Sequence, residues 1–165
     1  MTTIKYSVGV DIASSTFTAS VGEIPWKVVL KPQTFENTED GYQTLLAWFA
    51  QHHLSVSETV VCMEATGVYS EGLAYFLYAK GYRVAVQSPL EVKRTFKPYG
   101  PKSEAVDSLQ IAEYACRHTD KLSFWKPRSE ILEQVKALLA VREQFVAQNT
   151  AHQNALKAIR RKVVR

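Results

Sequence analysis

Apolar and polar residues alternate along the first part of the chain and then change to a helical spacing. The stretches KYSVGVD (5–11), STFTASVG (15–22) and WKVVLKPQTF (26–35) are strand-like runs with short joints, which predict an antiparallel meander. Apolar residues then recur at helical intervals in TEDGYQTLLAWFAQHH, and the short apolar run ETVVCME follows. The pattern therefore predicts three strands, a helix and a fourth strand.

Helix and strand continue to alternate in the middle of the chain. The segment YSEGLAYFLYAKG predicts a helix that ends at Gly81, YRVAVQ predicts a fifth strand, and Pro89 opens a short helical piece. After the break KPYGPK, a further helix is predicted from Ser103 to about Cys116. The apolar stripe expected to pack that helix on the sheet is Ala105, Leu109, Ala112 and Cys116.

The predicted order β-β-β-α-β-α-β-α indicates the class of fold. Three antiparallel strands that lead into alternating helices and strands imply an α/β protein with one mixed sheet covered by helices. Among folds with that order, the ribonuclease H-like fold is the leading candidate.

A seven-residue spacing begins after HTDKLSFWKPRSE (118–130), whose mixed polarity and proline are typical of a linker. The residues at the d and a positions are Ile131, Leu138, Phe145, His152 and Ile159, and Val135, Arg142, Asn149, Leu156 and Val163. A helix of about 35 residues, roughly 50 Å long, with such a seam needs a partner. We therefore predict a sheet domain over 1–118, a linker over 119–129 and a coiled-coil helix over 130–165 that forms a homo-oligomer.

Composition sets bounds on this picture without changing it. The chain of 165 residues is 46% hydrophobic, which suffices for a core, and its net charge of +4 suits a polyanionic partner without proving one. Cys62 and Cys116 have no paired spacing, which argues against a disulfide framework or a zinc site and fits a reducing cytoplasm. The most apolar stretch, 68–86, is interrupted by charged residues, so no membrane partner is expected.

Four acidic residues stand where the predicted elements begin or end. Asp11 and Glu64 end the first and fourth strands, and Glu104 and Asp107 open the last helix of the sheet domain. Taken singly, such acids commonly complement a helix dipole or cap a turn. In a ribonuclease H-like sheet all four would converge, and carboxylates that close together are usually neutralised by hard divalent cations. We expect a site for two magnesium or manganese ions, suited to in-line phosphoryl displacement.

Four motifs occur in the order found in one family of recombinases. The segments GVDIASSTF, CMEATGVYS, GYRVAVQSP and KSEAVDSLQIAEY together resemble the amino-terminal domain of the DEDD-type insertion-sequence transposases, relatives of the pilin-gene invertases, over nearly all of residues 5 to 165. The resemblance implies a RuvC-like catalytic domain in 1–118 whose acids bind metal and act on DNA. The roles pass directly to Asp11, Glu64 and Asp107, whereas Glu104 stands where the family pattern has Asp and reaches one methylene further.

The resemblance also implies what the whole protein does. It predicts a metal-dependent DNA transposase or site-specific recombinase, and because some members are guided by a bridge RNA, a guide RNA is a further candidate partner. Complete members carry a carboxy-terminal domain with a nucleophilic serine, which this chain is expected to lack. Ser14, Ser15 and Ser103 are better explained as turn and cap residues.

Two other classes of function compete with this interpretation. GVDIASST also resembles the first phosphate loop of actin-like sugar kinases, although neither their second phosphate motif nor their adenosine loop occurs in the sequence. Alternatively, the chain is a non-catalytic coiled-coil assembly module whose acids are structural. Magnesium binding would separate that module from a nuclease.

Two basic clusters supply candidate contacts to nucleic-acid phosphates. The first contains Lys93, Arg94, Lys97 and Lys102, interleaved with Phe96 and Tyr99, and the second contains Lys157, Arg160, Arg161, Lys162 and Arg165. Lysine and arginine bind the phosphate backbone, and aromatic side chains can stack on bases. A solvated surface would explain the first cluster equally well.

Overall fold

Strands and helices alternate along the computed structural model, which describes residues 3–65, 67–96, 104–127 and 130–163. The strands are β1 (Tyr6–Ile12), β2 (Thr16–Glu23), β3 (Lys27–Glu36), β4 (Thr59–Glu64) and β5 (Arg83–Gln87). The helices are α1 (Glu39–Gln51), α2 (Val68–Ala79), α3 (Pro89–Thr95), α4 (Glu104–Arg117) and α5 (Glu130–Val163), with a 3-10 turn at Thr119–Lys121. Ser103, the predicted start of α4, lies outside the described residues.

The strands form one mixed sheet in the order β3-β2-β1-β4-β5. β1 and β2 are antiparallel, as are β2 and β3, whereas β4 runs parallel to both β1 and β5. A tight turn joins β1 to β2, where the Ala13 N–H donates to the Thr16 carbonyl at 2.9 Å. That turn sets the register in which Asp11 faces Thr18. The mixed sheet covered by helices, predicted from the patterning, is confirmed.

One face of the sheet carries the larger apolar core. Alternation along β1 directs Val8 and Val10 to this face, where α1 and α2 cover them with Leu45, Phe49 and other apolar side chains. Buried aromatic pairs, such as Phe17 and Phe35 with ring centroids 5.3 Å apart, fill the space below α1. α1 begins at an N-cap, Thr38, whose hydroxyl accepts from the Gly41 N–H. Burial of this apolar face holds the sheet rigid behind the opposite face.

The opposite face is covered by α4, which approaches very closely because the facing residues are small. A side-chain carbon at Gly9 would lie 2.1 Å from the Ala112 nitrogen and 2.2 Å from the Ser108 carbonyl oxygen, so only glycine fits. The Ser7 hydroxyl donates to the Ala112 carbonyl at 2.9 Å. The Ser20 and Ser108 hydroxyls, both fully buried, are 2.6 Å apart. These contacts fix the position of α4 on β1 and β2.

The predicted apolar stripe of α4 is partly wrong. Ala112 and Cys116 are buried as expected, but Ala105 is exposed and Leu109 only half-buried. The residues that α4 buries are Ser108, Ile111, Ala112, Tyr114, Ala115 and Cys116. The buried face therefore includes a serine, which is compatible with burial because the sheet supplies a hydroxyl partner.

The segment 119–126, predicted as part of a linker, packs on the sheet. Leu122 is buried, Phe124 forms an antiparallel bridge with Ala85 of β5, and the Trp125 N–H donates to the Val84 carbonyl at 2.8 Å. The chain divides into two compact units, Met1–Lys126 and Pro127–Arg165. The first unit therefore continues beyond the predicted domain boundary at 118.

The second unit contains α5, whose large apolar side chains are exposed. Leu138 and Phe145, at predicted d positions, are 70% and 66% exposed. Leu139, Val141 and Val146 at flanking positions are exposed as well, so the apolar face is wider than a and d alone. Across the described parts of the chain, no helix combines the length and apolarity that crossing a bilayer requires.

Candidate functional site

Asp11 and Glu64 stand side by side at the carboxyl ends of the two adjacent strands β1 and β4. Val10 pairs with Met63 in the parallel ladder, and the acids are the next residue of each strand. Because side chains alternate, Asp11 lies on the α4 face together with Gly9. Both acids are half-buried. The packed strands thus present two carboxylates at one edge of the sheet.

Glu104 and Asp107 lie in the first turn of α4, the helix that covers β1 and β2. Glu104 is exposed and Asp107 is half-buried. The Thr18 hydroxyl, directly across the ladder from Asp11, donates to Glu104 Oε2 at 3.4 Å. The start of α4 is therefore anchored next to the strand pair that carries Asp11.

The charges of the other three acids act on Asp11. The pKa of Asp11 is raised from 3.8 to about 6, first by burial and then by the charges of Asp107, Glu64 and Glu104, while a hydrogen bond from the Ile12 N–H opposes the rise. Nearby negative charges raise a carboxyl pKa because they disfavour its ionised form. The charges of the other three acids thus add to the effect of burial in raising the pKa of Asp11.

The donor chemistry of these acids fits a hard divalent cation. Carboxylate oxygens are the ligands that Mg²⁺ and Mn²⁺ prefer, and a cation would relieve the repulsion at Asp11. Among the described residues, no three acidic, histidine or cysteine side chains are already grouped as a ligand cage. Magnesium commonly retains several waters and takes only one or two carboxylates, so such a cage is not a requirement.

A thiolate does not contribute to this edge. Cys62 precedes Glu64 on the same face of β4, and burial, with a smaller effect of the Glu64 charge, raises the pKa of its thiol to about 12. The thiol therefore stays protonated at neutral pH, and oxygen ligands dominate the site.

The loops behind the two strand-end acids are tied together by Asn37, which the sequence did not single out. Its side-chain amide donates to the carbonyls of Ala13 and Tyr69, each at 3.1 Å, and its carbonyl oxygen accepts from the Tyr42 hydroxyl at 2.7 Å. Ala13 lies two residues after Asp11, and Tyr69 lies in the first turn of α2, the helix after Glu64. Asn37 therefore links the two segments that leave the site.

Of the predicted basic residues, the structure describes only part. Arg94 is exposed at the end of α3, and Lys157 and Arg160 are exposed on α5. Lys97 and Lys102 lie outside the described residues, as do Lys162's side chain, Tyr99 and Arg165. Lys93 and Arg161 are helical, but their side chains also lie outside the description. Whether these side chains serve nucleic acid stays a prediction.

Thr18 and its neighbour Thr34 on β3 were also missed. Their hydroxyl oxygens are 2.9 Å apart, and Thr18 is the cross-strand partner of Asp11. No local pattern in the sequence indicates this pairing, because a polar residue in a strand does not reveal its cross-strand partner.

Comparison with known proteins identifies the family. Residues 8–163 match the family model DEDD_Tnp_IS110, described as a transposase. The pilin gene-inverting proteins of Moraxella bovis and Moraxella lacunata are each 31% identical to the chain over 147 residues, which is 87% of this chain and 44% of theirs. The chain therefore spans less than half the length of these curated relatives.

A solved structure shares the fold. The RuvC protein of T. thermophilus, in complex with a Holliday junction substrate, superposes with a TM-score of 0.56 and 14% identity, covering 73% of this chain and 99% of RuvC. At that identity the likeness establishes the fold, which is the ribonuclease H-like fold predicted from the order of elements. With the family match over residues 8–163, the resemblance carried by the four sequence motifs is confirmed, and the chain belongs to the DEDD_Tnp_IS110 transposase family.

Proposed function

We propose that the first unit is the metal-dependent catalytic domain of a DNA transposase or site-specific recombinase. One observation carries the proposal. Two neighbouring parallel strands carry Asp11 and Glu64 at their carboxyl ends, and the helix that opens with Glu104 and Asp107 is anchored over the same face. The family match supports recombination as the process, and the RuvC-like fold supports phosphoryl transfer.

The four acids would hold two magnesium or manganese ions at the sheet edge. Bound divalent cations would supply the charge that polarises a phosphate and stabilises attacking and leaving oxygens. The task of the chain is to fix the ligands. β1 and β4 hold Asp11 and Glu64 on a packed sheet, and the buried contacts of α4 hold Glu104 and Asp107 against it. Asp11, with its pKa of about 6, must lose its proton to act as a ligand, so metal binding should strengthen as pH rises through 6.

DNA is the proposed substrate, and the proposal extends to the basic residues. Arg94, Lys157 and Arg160 are exposed cations that can neutralise phosphates, and Lys93, Lys97, Lys102 and Arg161 are assigned the same role from the sequence. A guide RNA would engage the same chemistry. Action on DNA inside a reducing cytoplasm is consistent with free Cys62 and Cys116.

We assign oligomerisation to α5. Its exposed apolar residues would bury their surface against the same helix of a second copy, because a coiled-coil seam requires a partner. Arg142 and Asn149 lie at a positions and His152 at a d position of the predicted heptads, where buried polar groups set register at a cost in stability.

Calorimetric titration with Mg²⁺ and Mn²⁺ tests the central proposal. We expect the chain to bind either ion and Asp11→Asn to weaken binding at least about tenfold, because it removes a ligand common to the site. Asp40→Asn is the matched control, since Asp40 also lies in the first turn of a helix, on α1. Equal affinity in the wild type and Asp11→Asn would refute the site.

Activity supplies a second test of the same proposal. If the wild-type chain cleaves branched or duplex DNA in the presence of Mn²⁺, variants that lose the carboxylate of Asp11, Glu64 or Asp107 should not cleave it. ATP binding that depends on GVDIASST, with no metal-dependent action on DNA, would instead favour the actin-like interpretation. Self-association of the chain with no metal binding would favour the assembly module.

A further inference from the structure

Glu104 is the one acid of the site whose side chain is exposed, and a hydrogen bond from Thr18 ties it to the sheet. Thr18 Oγ1 donates to Glu104 Oε2 at 3.4 Å, and Thr18 itself is only 2% exposed. A glutamate has three rotatable bonds, so without a partner its carboxylate samples many positions. The donor, by contrast, is a β-branched residue in the packed strand β2, with a restricted first torsion.

The direction of the hydrogen bonds follows from counting protons. Each threonine hydroxyl carries one proton. The Thr18 hydroxyl donates its one hydrogen bond to the Glu104 carboxylate, which can only accept. In the 2.9 Å contact between Thr18 and Thr34, Thr34 is therefore the donor. The result is a directed chain from the edge strand β3 through β2 to α4. It occupies Oε2 and leaves the remaining lone pairs of the carboxylate available to a cation.

A purely structural role for this contact is already filled by other residues. The Ser20–Ser108 pair and the bond from Ser7 to the Ala112 carbonyl already tether α4 to β2 and β1 within its buried part. The Thr18 contact lies one turn earlier, at a solvent-exposed carboxylate, and directly opposite Asp11 in the ladder. Its distinctive effect is therefore on the place of the Glu104 carboxylate.

We propose that Thr18, backed by Thr34, is a positioning residue that holds the Glu104 carboxylate beside Asp11 for metal binding. This inference rests on the proposed function, because it assigns Glu104 to a metal site. Thr18→Val keeps the shape of the side chain and removes the hydroxyl, whereas Thr18→Ser keeps the hydroxyl. Thr59→Val is the matched control, since it makes the same change at a buried threonine of the same sheet, at the end of β4 opposite Glu64.

The experiment has two readouts on the full chain. The first is Mn²⁺ affinity, followed by the electron paramagnetic resonance signal of free Mn²⁺. We expect Thr18→Val to weaken Mn²⁺ binding about tenfold or more, as loss of a partner of a metal ligand commonly does. Thr18→Ser and Thr59→Val should stay within about twofold of the wild type.

The second readout needs no metal, and it separates the two hypotheses. Carbon-13 relaxation of the Glu104 side chain, measured with chelator present, should show greater motion in Thr18→Val and unchanged motion in Thr59→Val. Thr18→Val could leave both Glu104 motion and Mn²⁺ affinity unchanged while Asp11→Asn still weakens Mn²⁺ binding. That result would overturn the role of Thr18 and leave the proposed function standing. A wild type that binds no Mn²⁺ would overturn the proposed function, and would reduce the Thr18 contact to a structural one even if Glu104 motion increased.

Discussion

At the scale of one residue, ionised Asp11 lowers the stability of the folded chain. Its pKa is raised from 3.8 to about 6, with burial as the largest cause. The ionised form is therefore less stable in the folded state than in the unfolded state. A shift of this size corresponds to at most about 3 kcal/mol, and because Asp11 is only half-buried, solvent screening reduces the effect to about 1–2 kcal/mol.

The pH dependence follows from the sign of that shift. Since the folded state binds the Asp11 proton more tightly, the free energy of unfolding falls as pH rises from about 4 to about 6 and stays low above it. Asp11→Asn should therefore raise the metal-free free energy of unfolding at pH 7 by about 1–2 kcal/mol and have little effect below pH 4. Urea denaturation in chelator, followed by tryptophan fluorescence at several pH values, measures this difference.

The control and the contrary result are both accessible in that experiment. Asp40→Asn removes an acid that complements the dipole of α1 and should lower stability slightly at pH 7. Millimolar Mg²⁺ should stabilise the wild type more than Asp11→Asn. A wild type and an Asp11→Asn variant with parallel stability curves between pH 4 and 7 would contradict the origin proposed for the shift.

At the scale of elements, the position of α4 is decided by the smallest side chains in the sheet. Gly9 and Ser7 let the helix axis approach β1 so closely that a single added carbon overlaps the backbone of α4. Packed interiors relax little, so such an overlap is relieved only by moving the helix. Because α4 carries Glu104 and Asp107, a shift of the helix is also a shift of two of the four acids.

Gly9→Ala should therefore destabilise the first unit by about 3 kcal/mol or more, and any folded fraction should bind Mn²⁺ poorly. Gly22→Ala is the matched control on the neighbouring strand. Its added carbon would meet the ring of Trp26, a half-buried side chain that can rotate, and not a helix backbone. We expect about 1 kcal/mol for Gly22→Ala by urea denaturation. Equal costs at the two glycines would show that α4 yields easily.

The second element with a testable consequence is α5. Leu138→Glu places a charge on the exposed apolar face and should weaken self-association at least about tenfold, because a charged group would be buried in the seam. Ala140→Glu changes the outer side of the same helical turn and should leave association unchanged. Light scattering over a range of concentrations measures both. A wild type that is monomeric at high micromolar concentration would exclude self-pairing through α5.

The sequence predicted more of the elements than of their contacts. Strands that alternate, such as Tyr6–Ile12, and helices with clear apolar spacing were located within a few residues, because those patterns are local. The buried face of α4 was misplaced, since a buried Ser108 looks polar until Ser20 is seen opposite it. The segment 119–126 looked like a linker, because its bonds to β5 use backbone groups that carry no sequence signal.

In the candidate site, too, residues placed by local patterns could be predicted, whereas residues placed by contacts could not. Asp11 and Glu64 could be placed at strand ends from the sequence, and Glu104 and Asp107 at a helix start. Thr18, Thr34 and Asn37 could not, because their roles depend on which residue pairs with which across strands and loops. Long-range pairing is a property of the folded chain, and an isolated polar residue in a strand gives no indication of its partner.

At the scale of the whole molecule, charge decides how the chain meets a polyanion. The net charge is +4, and several cations are exposed in each unit, among them Arg94 in the first and Lys157 and Arg160 in the second. No described element is recognisable as a module that reads base edges. Electrostatic contact with phosphates should therefore dominate affinity, with little preference for sequence in the chain alone.

Binding to duplex DNA should weaken steeply with salt, with a logarithmic slope near −0.9 for each phosphate neutralised. The double variant Lys157→Glu with Arg160→Glu should reduce that slope by about 2, since about 1 is lost per phosphate contact. Lys27→Glu with Lys31→Glu makes the same change in net charge on exposed residues of β3 and serves as the control. Fluorescence anisotropy from about 50 to 200 mM salt measures both. Salt-independent affinity, or equal slopes in the two double variants, would count against phosphate contact by α5.

The closeness of α4 to β1 also orders events during synthesis of the protein. Ser7 and its partner Ala112 are 105 residues apart in the chain, so at about 5–20 residues per second the ribosome delivers the second roughly 5–20 s after the first. β1 and β4 are made early and bring Asp11 and Glu64 together, but Glu104 and Asp107 arrive with α4, the last α-helix of the first unit. A nascent chain therefore has only two of the four acids of the candidate site until α4 has been translated. An unfinished polypeptide should then be unable to carry out the chemistry proposed for the site.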